Sequence, residues 1–228
     1  MARVLITGAN RGIGLALARH YAADGWHVHA TCRDPDKAEA LGALAGDRLS
    51  VHRLDVTDAA SVAACAAEIG DVAIDLLINN AGVSGGTATG LADIDYARWA
   101  HTIDVNTFGP TRVAQAFVEP LAASERRLLV NISSRLGSMA ENTEGGSYVY
   151  RSSKAALNAV IRSLAIDLAP RGIVVVALHP GWVATDMGGA EAPIGPDESV
   201  AGMRRVIAGL GSADSGRFYA YDGREIPW

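Results

Sequence analysis

The sequence has little cysteine and almost no lysine. Its two cysteines, Cys32 and Cys65, lie far apart and make neither a disulfide framework nor a zinc spacing. A basic excess is missing as well. The formal charge is −5 and the pI near 5.6, so the chain lacks the positive field that sequence-independent nucleic-acid binding needs. No apolar run approaches the ~20 residues of a membrane span. Residues 1–8 lead straight into a strand pattern, with no charged-then-apolar leader. Linkers, repeats and low-complexity tracts are also lacking. The expectation is a soluble, cytoplasmic protein with no nucleic-acid or membrane partner, folded as one domain over residues 1–228. Hydrophobic residues make up 49% of the chain and charged ones 20%, which supplies a core and excludes disorder.

What is present is an alternation. Short apolar runs at residues 3–7, 28–31, 50–56, 74–79, 127–133, 173–179 and 218–220 read as strands. Between them, helical periodicity predicts helices over 12–23, 35–44, 59–69, 95–121, 147–168 and 198–210. Asp58 is placed to cap the third helix. Strand–helix alternation from end to end calls for a parallel sheet with helices on both faces, the α/β class. The one loop rich in helix breakers, residues 184–197, is long enough to be functional or mobile.

The first turn reads Thr7-Gly8-Ala9-Asn10-Arg11-Gly12-Ile13-Gly14. Glycines there let the backbone approach a pyrophosphate. The helix that follows aims its unpaired N–H groups and positive dipole end at the anion. In such sheets ligands lie beyond the carboxyl ends of the strands. Arg33, Asp55-Val56, Asn79-Asn80-Ala81-Gly82 and Pro180-Gly181 all fall at such ends. No carboxylate precedes Asp34 at the end of the second strand, where a ribose 2′-hydroxyl would be read. Arg33 and Arg11 can instead clamp a 2′-phosphate, which points to NADP(H) over NAD(H).

Tyr150 and Lys154 stand four apart in a predicted helix and share a face. Only two lysines exist, Lys37 and Lys154, and every other basic residue is arginine. Chance gives about 0.05 such pairs at helical spacing. A nearby ammonium favours the phenolate and is expected to lower the phenol pKa toward the range useful for proton transfer. Ser133 and Ser134 end the preceding strand, where a hydroxyl could hold a carbonyl oxygen or merely terminate a turn. Asn106 falls inside a predicted helix, where asparagine is unfavourable unless its side chain has a task. The six histidines show no metal-ligand spacing, and no metal site is expected.

Taken together, Thr7-Gly8-x-x-x-Gly12-x-Gly14, Asn79-Asn80-Ala81-Gly82, Asn106, Ser134, Tyr150-x-x-x-Lys154 and Pro180-Gly181-x-x-Thr185 resemble the short-chain dehydrogenase/reductase family over nearly the whole chain. The insertion at 141–146 and the tail at 222–228 are similar to those of C-factor and sniffer-type carbonyl reductases. The resemblance implies a single-domain Rossmann fold with a seven-stranded parallel sheet, and hydride transfer between nicotinamide and a carbonyl or alcohol.

By the same resemblance the catalytic set would be Asn106, Ser134, Tyr150 and Lys154. Tyr150 would be the acid–base residue, Ser134 would orient the substrate oxygen, and Lys154 would bind the nicotinamide ribose and depress the phenol pKa. Asn106 would kink its helix and hold a water. The cofactor would be held by Gly8, Asn10, Arg11, Gly12, Ile13, Gly14, Arg33, Asp55, Val56, Asn80, Ala81, Gly82, Tyr150, Lys154, Pro180, Gly181, Val183 and Thr185. Strand alternation puts the two serines on opposite faces, and the match falls on Ser134.

The expected function is NADPH-dependent reduction of a small-molecule aldehyde or ketone, with Arg135, Met139, Trp182 and the closing 185–197 loop around the substrate. A cofactor-binding signalling protein of C-factor type is the alternative. An epimerase or dehydratase on nucleotide sugars would need a larger substrate domain than this length allows. Apolar surface on the two long helices predicts a homodimer or homotetramer.

Overall fold

A computed structural model describes residues 1–86 and 90–228. Seven strands form one parallel sheet: β1 (Arg3–Ile6), β2 (His27–Cys32), β3 (Leu49–Arg53), β4 (Leu76–Asn79), β5 (Leu128–Ile132), β6 (Val174–His179) and β7 (Phe218–Ala220). Their order is β3-β2-β1-β4-β5-β6-β7. The order reverses between β1 and β4, so the carboxyl ends of those two strands open the crevice where α/β sheets bind ligands.

Side-chain alternation divides the core into two layers. Val4, Ile6, Leu76, Ile78, Val130 and Val176 face α1 (Gly12–Ala23), the short α2 (Glu39–Gly42) and α7 (Pro196–Gly209). Leu5, Leu77, Leu129 and Val175 face α3 (Ala59–Ile69), α5 (Gly109–Ala122) and α6 (Tyr148–Leu168). The Asp58 carboxylate caps α3, accepting from the Ala60 N–H at 2.9 Å.

Two expected helices differ. The stretch 35–44 is a 3₁₀ turn at Pro35–Lys37 followed by the four-residue α2, with only Leu41 buried across both. With Ala38, between the two, the stretch buries only two apolar side chains, too few to hold a full helix against the sheet. The stretch 95–121 is interrupted. After α4 (Tyr96–Ile103) a π turn spans Asp104–Phe108 before α5 begins. That π turn holds Asn106, and inserted π turns are associated with functional sites. Among the described residues no helix is long and apolar enough to cross a membrane. Nor does any group of three His, Cys, Asp or Glu side chains among them form a metal site.

Candidate active site

The glycine turn after β1 is a close-packed cradle. Gly8 has φ +66, and a Cβ there would lie 2.9 Å from Ala81 Cα. A Cβ on Gly14 would lie 2.2 Å from the Gly8 carbonyl oxygen and 2.6 Å from Asn80 Nδ2. No side chain fits at either point, so bare backbone and the first N–H groups of α1 face the crevice. The wall after β4 is pinned to this turn. Thr7 Oγ1 accepts from the N–H groups of Asn80 (3.0 Å) and Ala81 (3.1 Å), and Asn80 Nδ2 donates to the carbonyls of Thr7 and Gly8 at 2.9 and 3.0 Å. Gly12 faces the third wall, after β6: a Cβ on it would meet Thr185 Cγ2 at 3.3 Å. These features fit a dinucleotide pyrophosphate.

Asn10 and Arg11 are exposed at the tip of the turn. Arg11 Nη1 pairs with the Asp186 carboxylate at 2.8 Å. Arg33 is exposed beyond β2 and lines a cleft with Arg53 and Asp55. The next residue, Asp34, is engaged by Lys37 at 2.6 Å. Burial would raise the Asp55 carboxyl, but two hydrogen bonds from Thr57, at 2.9 and 2.7 Å, outweigh it with help from Arg33 and His101, and the net shift is downward. Val56 is buried against Gly109, and Ile13 is half-buried against the core layer of α1.

At the other end of the crevice, α6 presents Tyr150 and Lys154 on one face. The Lys154 ammonium donates to the Ile132 carbonyl at 2.8 Å and lies 5.9 Å from the Tyr150 ring centre. Lys154 is 5% exposed, and burial pushes its pKa down to about 8. Burial also pushes the Tyr150 phenol up to about 12, opposed by hydrogen bonding with Ser134. The expected lowering of the phenol by the ammonium is therefore not found. Burial of the phenol dominates, only the Ser134 hydrogen bond opposes it, and the ammonium spends its contact on the Ile132 carbonyl. Ser134, not Ser133, is the serine that acts on the phenol, and its Oγ also accepts from the Leu136 N–H at 3.2 Å. Ser133 Oγ points the other way and donates to Asn158 Oδ1 at 2.6 Å.

Asn106 is fully buried between these parts. Its Oδ1 accepts from the Val83 N–H at 2.9 Å, and its Nδ2 donates to the Val83 carbonyl (2.9 Å) and to Ser153 Oγ (3.0 Å). A Cβ on Gly82 would lie 3.2 Å from Asn106 Oδ1 and 3.8 Å from Lys154 Nζ, so the wall after β4 meets the lysine here. Beyond β6, Pro180 is held by a bond from Ser199 Oγ (2.5 Å), and Gly181 adopts φ +87. Val183 bridges to Ile194, and Thr185 Oγ1 accepts from Gly188 N–H at 3.2 Å. Met139 (74% exposed) and Trp182 (56%) stand open at the ends of neighbouring β5 and β6. Arg135 pairs with Glu141 at 2.5 Å.

Residues 2–193 match the family model for short chain dehydrogenase. The chain belongs to that family.

This short-chain dehydrogenase is 52% identical to the C-signal of Myxococcus xanthus over 155 residues, which cover 68% of this chain and 93% of that protein. It is 37% identical to 1-hydroxy-2-glutathionyl-2-methyl-3-butene dehydrogenase of Rhodococcus sp. (strain AD45), over 100% of both chains. Two solved structures superpose over its full length. Carbonyl reductase Sniffer of D. melanogaster has a TM-score of 0.95 at 35% identity, covering 100% of both chains. The NADPH-bound carbonyl reductase from chicken fatty liver has a TM-score of 0.93 at 38% identity, covering 100% of this chain and 99% of that one.

One builder of the short-chain dehydrogenase site escapes a reading of its sequence motifs. Asn158, four residues beyond Lys154, accepts from Ser133 and donates to the Gly137 carbonyl at 3.1 Å. A buried asparagine on the Tyr150–Lys154 face is the signal that could have marked it.

Proposed function

We propose that this oxidoreductase is an NADPH-dependent carbonyl reductase, a single domain over residues 1–228 that converts a small aldehyde or ketone to an alcohol. The observation that carries the reading is the convergence of Tyr150, Ser134, Lys154 and Asn106 on the crevice opened by the glycine turn. A bound nicotinamide dinucleotide supplies the hydride, and the chain supplies the rest. Gly8, Asn10, Gly12, Ile13 and Gly14 take the pyrophosphate with the N-terminus of α1. Asp55, Val56, Asn80, Ala81 and Gly82 flank the adenosine side, while Pro180, Gly181, Val183 and Thr185 hold the nicotinamide end. Arg33 and Arg11 bind the 2′-phosphate. The choice of NADPH is supported by the exposed Arg33 guanidinium, by the absence of a free carboxylate at the end of β2, and by the NADPH named for the chicken carbonyl reductase, while Arg11 would have to exchange its Asp186 partner for the phosphate.

Ser134 holds the substrate oxygen and Tyr150 gives it a proton as the carbonyl carbon accepts hydride. A phenol held near 12 is fully protonated at neutral pH, the form that reduction requires. Lys154, buried with its ammonium 5.9 Å from the phenol ring centre and a pKa near 8, binds the ribose. Arg135, Met139, Trp182 and the loop over 184–197 enclose the substrate.

The test is reduction of a panel of aldehydes and ketones with NADPH. Tyr150→Phe should lower kcat/KM by roughly 10³-fold while NADPH still binds. Equal activity of the two proteins would refute the role of the phenol.

A second reading, a dinucleotide-binding signalling protein with little turnover, is favoured by the 52% identity to the C-signal. It predicts NADPH binding without reduction of any carbonyl in the panel. For assembly, Tyr96 (74% exposed) and Phe108 (51%) on the α4–α5 stretch support a homodimer or homotetramer, checked by light-scattering mass.

A further inference from the structure

The segment joining β5 to α6, residues 133–147, carries Ser134 and Met139, yet its only regular structure is the 3₁₀ turn Arg135–Gly137. Its inner half is fixed to α6. Asn158 Nδ2 donates to the Gly137 carbonyl at 3.1 Å, and a Cβ on Gly137 would fall 2.8 Å from Lys154 Cβ.

The outer half is held from a different direction, by the chain that follows β7. Ser138 Oγ donates to the Pro227 carbonyl at 2.5 Å, with the main-chain oxygen of Trp228 at 3.2 Å. The N–H groups of Met139 and Ala140 both donate to that Trp228 oxygen, at 2.6 and 3.3 Å. Ser138 Oγ in turn accepts from the Glu141 N–H at 3.2 Å. Beyond Glu141 the bonds are local, such as Asn142 N–H to the Met139 carbonyl at 3.3 Å and Gly145 N–H to Asn142 Oδ1 at 3.0 Å.

Trp228 is itself anchored to the core. Its ring stacks on Phe218 of β7 with centres 5.4 Å apart and planes 23° apart, and Phe218 is fully buried. Ile226, 6% exposed, donates its N–H to the Phe218 carbonyl at 2.7 Å. Rigid contact therefore runs from the core under β7, through Trp228, to the backbone of residues 138–141.

We propose that Pro227 and Trp228 are positioning residues for carbonyl reduction. They set the backbone that places Met139 at the substrate opening and steady the turn that begins at Ser134. The proposal rests on the carbonyl reductase reading given above. Its logic is that an enzyme wall built on a loop is only as well placed as the contacts behind it, and displacements of about 1 Å can cost on the order of 10²-fold in rate. Pro227 is exposed, and Ser138, Met139 and Ala140, which the tail holds, are not among the residues assigned to the dinucleotide, so dinucleotide binding should depend on them little.

Three proteins test it: a chain ending at Ile226, Trp228→Ala, and Trp228→Phe. The first loses both main-chain acceptors, the second loses only the stacked ring, and the third keeps both. Hydrogen exchange at the Met139 and Ala140 amides should accelerate at least about tenfold in the shortened chain and stay unchanged in Trp228→Phe. In the shortened chain the KM for the carbonyl reduced fastest in the panel should rise roughly tenfold. kcat should fall less and the NADPH Kd should hold within about twofold. Trp228→Ala should fall between, and Trp228→Phe should restore the KM.

Unchanged exchange in the shortened chain overturns the proposal, as does faster exchange with KM and kcat preserved. So does a loss shared equally by KM, NADPH binding and cooperative unfolding, because that is plain destabilisation. If the shortened chain does not fold, Ser138→Ala, which removes only the hydroxyl bonds, is read in the same assays with the same criteria. An intact chain that binds NADPH but reduces nothing defeats the reductase reading and the positioning role with it. The exchange experiment shows separately whether the segment is clamped.

Discussion

Replacing Asn106 by alanine removes three buried hydrogen bonds at once. The side chain is fully shielded from solvent. The Val83 N–H and carbonyl, bonded to Asn106 at 2.9 Å each, would both be left unpaired. Each such orphan costs about 1–3 kcal/mol. Ser153 loses less, because its hydroxyl also donates to the Tyr150 carbonyl at 2.8 Å. The expected destabilisation is therefore about 4 kcal/mol. For a chain of this size 1 kcal/mol moves Tm by about 2–4 °C, so the drop should be roughly 8–16 °C. Urea unfolding followed by circular dichroism gives the free energy directly, and the slope m should match that of the unaltered protein. Val83 continues the wall formed by Asn80, Ala81 and Gly82, so the NADPH Kd should also rise, by roughly tenfold. A loss of stability below about 1 kcal/mol at unchanged m would refute the view that this asparagine supports the wall after β4.

Arg33→Asp should invert cofactor preference, lowering kcat/KM with NADPH far more than with NADH, and an unchanged ratio counts against the phosphate assignment. Gly14→Ala places a methyl 2.2 Å from the Gly8 carbonyl oxygen. Dinucleotide affinity should fall by more than tenfold in a titration, and retention of full affinity would show that the cradle tolerates a side chain. His29 is buried (7% exposed) and shares a 3.2 Å contact with His52, which bonds Glu68 at 2.8 Å. Burial, aided by His27 and His52, pushes its pKa down to about 4 from the usual 6.5. Between those values the unfolded chain binds a proton that the folded chain excludes, so stability is full above pH 6.5 and is lost as pH falls toward 4. The loss is on the order of 3 kcal/mol. Unfolding curves at pH 4.5 and 7 for the protein and for His29→Phe measure it, and an equal acid sensitivity in both would exclude His29 as the source.

The order of strands and helices, the glycine turn and the Tyr150–Lys154 face were legible in the residues alone because they are local facts. Period-two and period-3.6 apolar patterns, a cap such as Asp58 and a four-residue spacing are all written within a few neighbouring positions. The same local logic failed over 35–44, where pattern without burial gave a four-residue helix. It also failed within 95–121, where Asn106 draws its bonds from Val83 and Ser153 and a π turn interrupts the helix.

Alternation and the motif match point to Ser134 over Ser133, and tertiary structure supplied the physical partner of the other serine, Asn158, which takes the Ser133 hydroxyl. Tertiary structure alone set the direction of the phenol pKa. Adjacency on a helix predicts attraction between an ammonium and a phenolate. How much water each group loses depends on everything packed around it, and here burial is the largest influence on both groups, raising the phenol and lowering the ammonium. The grip of Pro227 and Trp228 on residues 138–140 is likewise beyond any local pattern, since it joins segments about ninety residues apart that meet only because β5, β6 and β7 lie side by side.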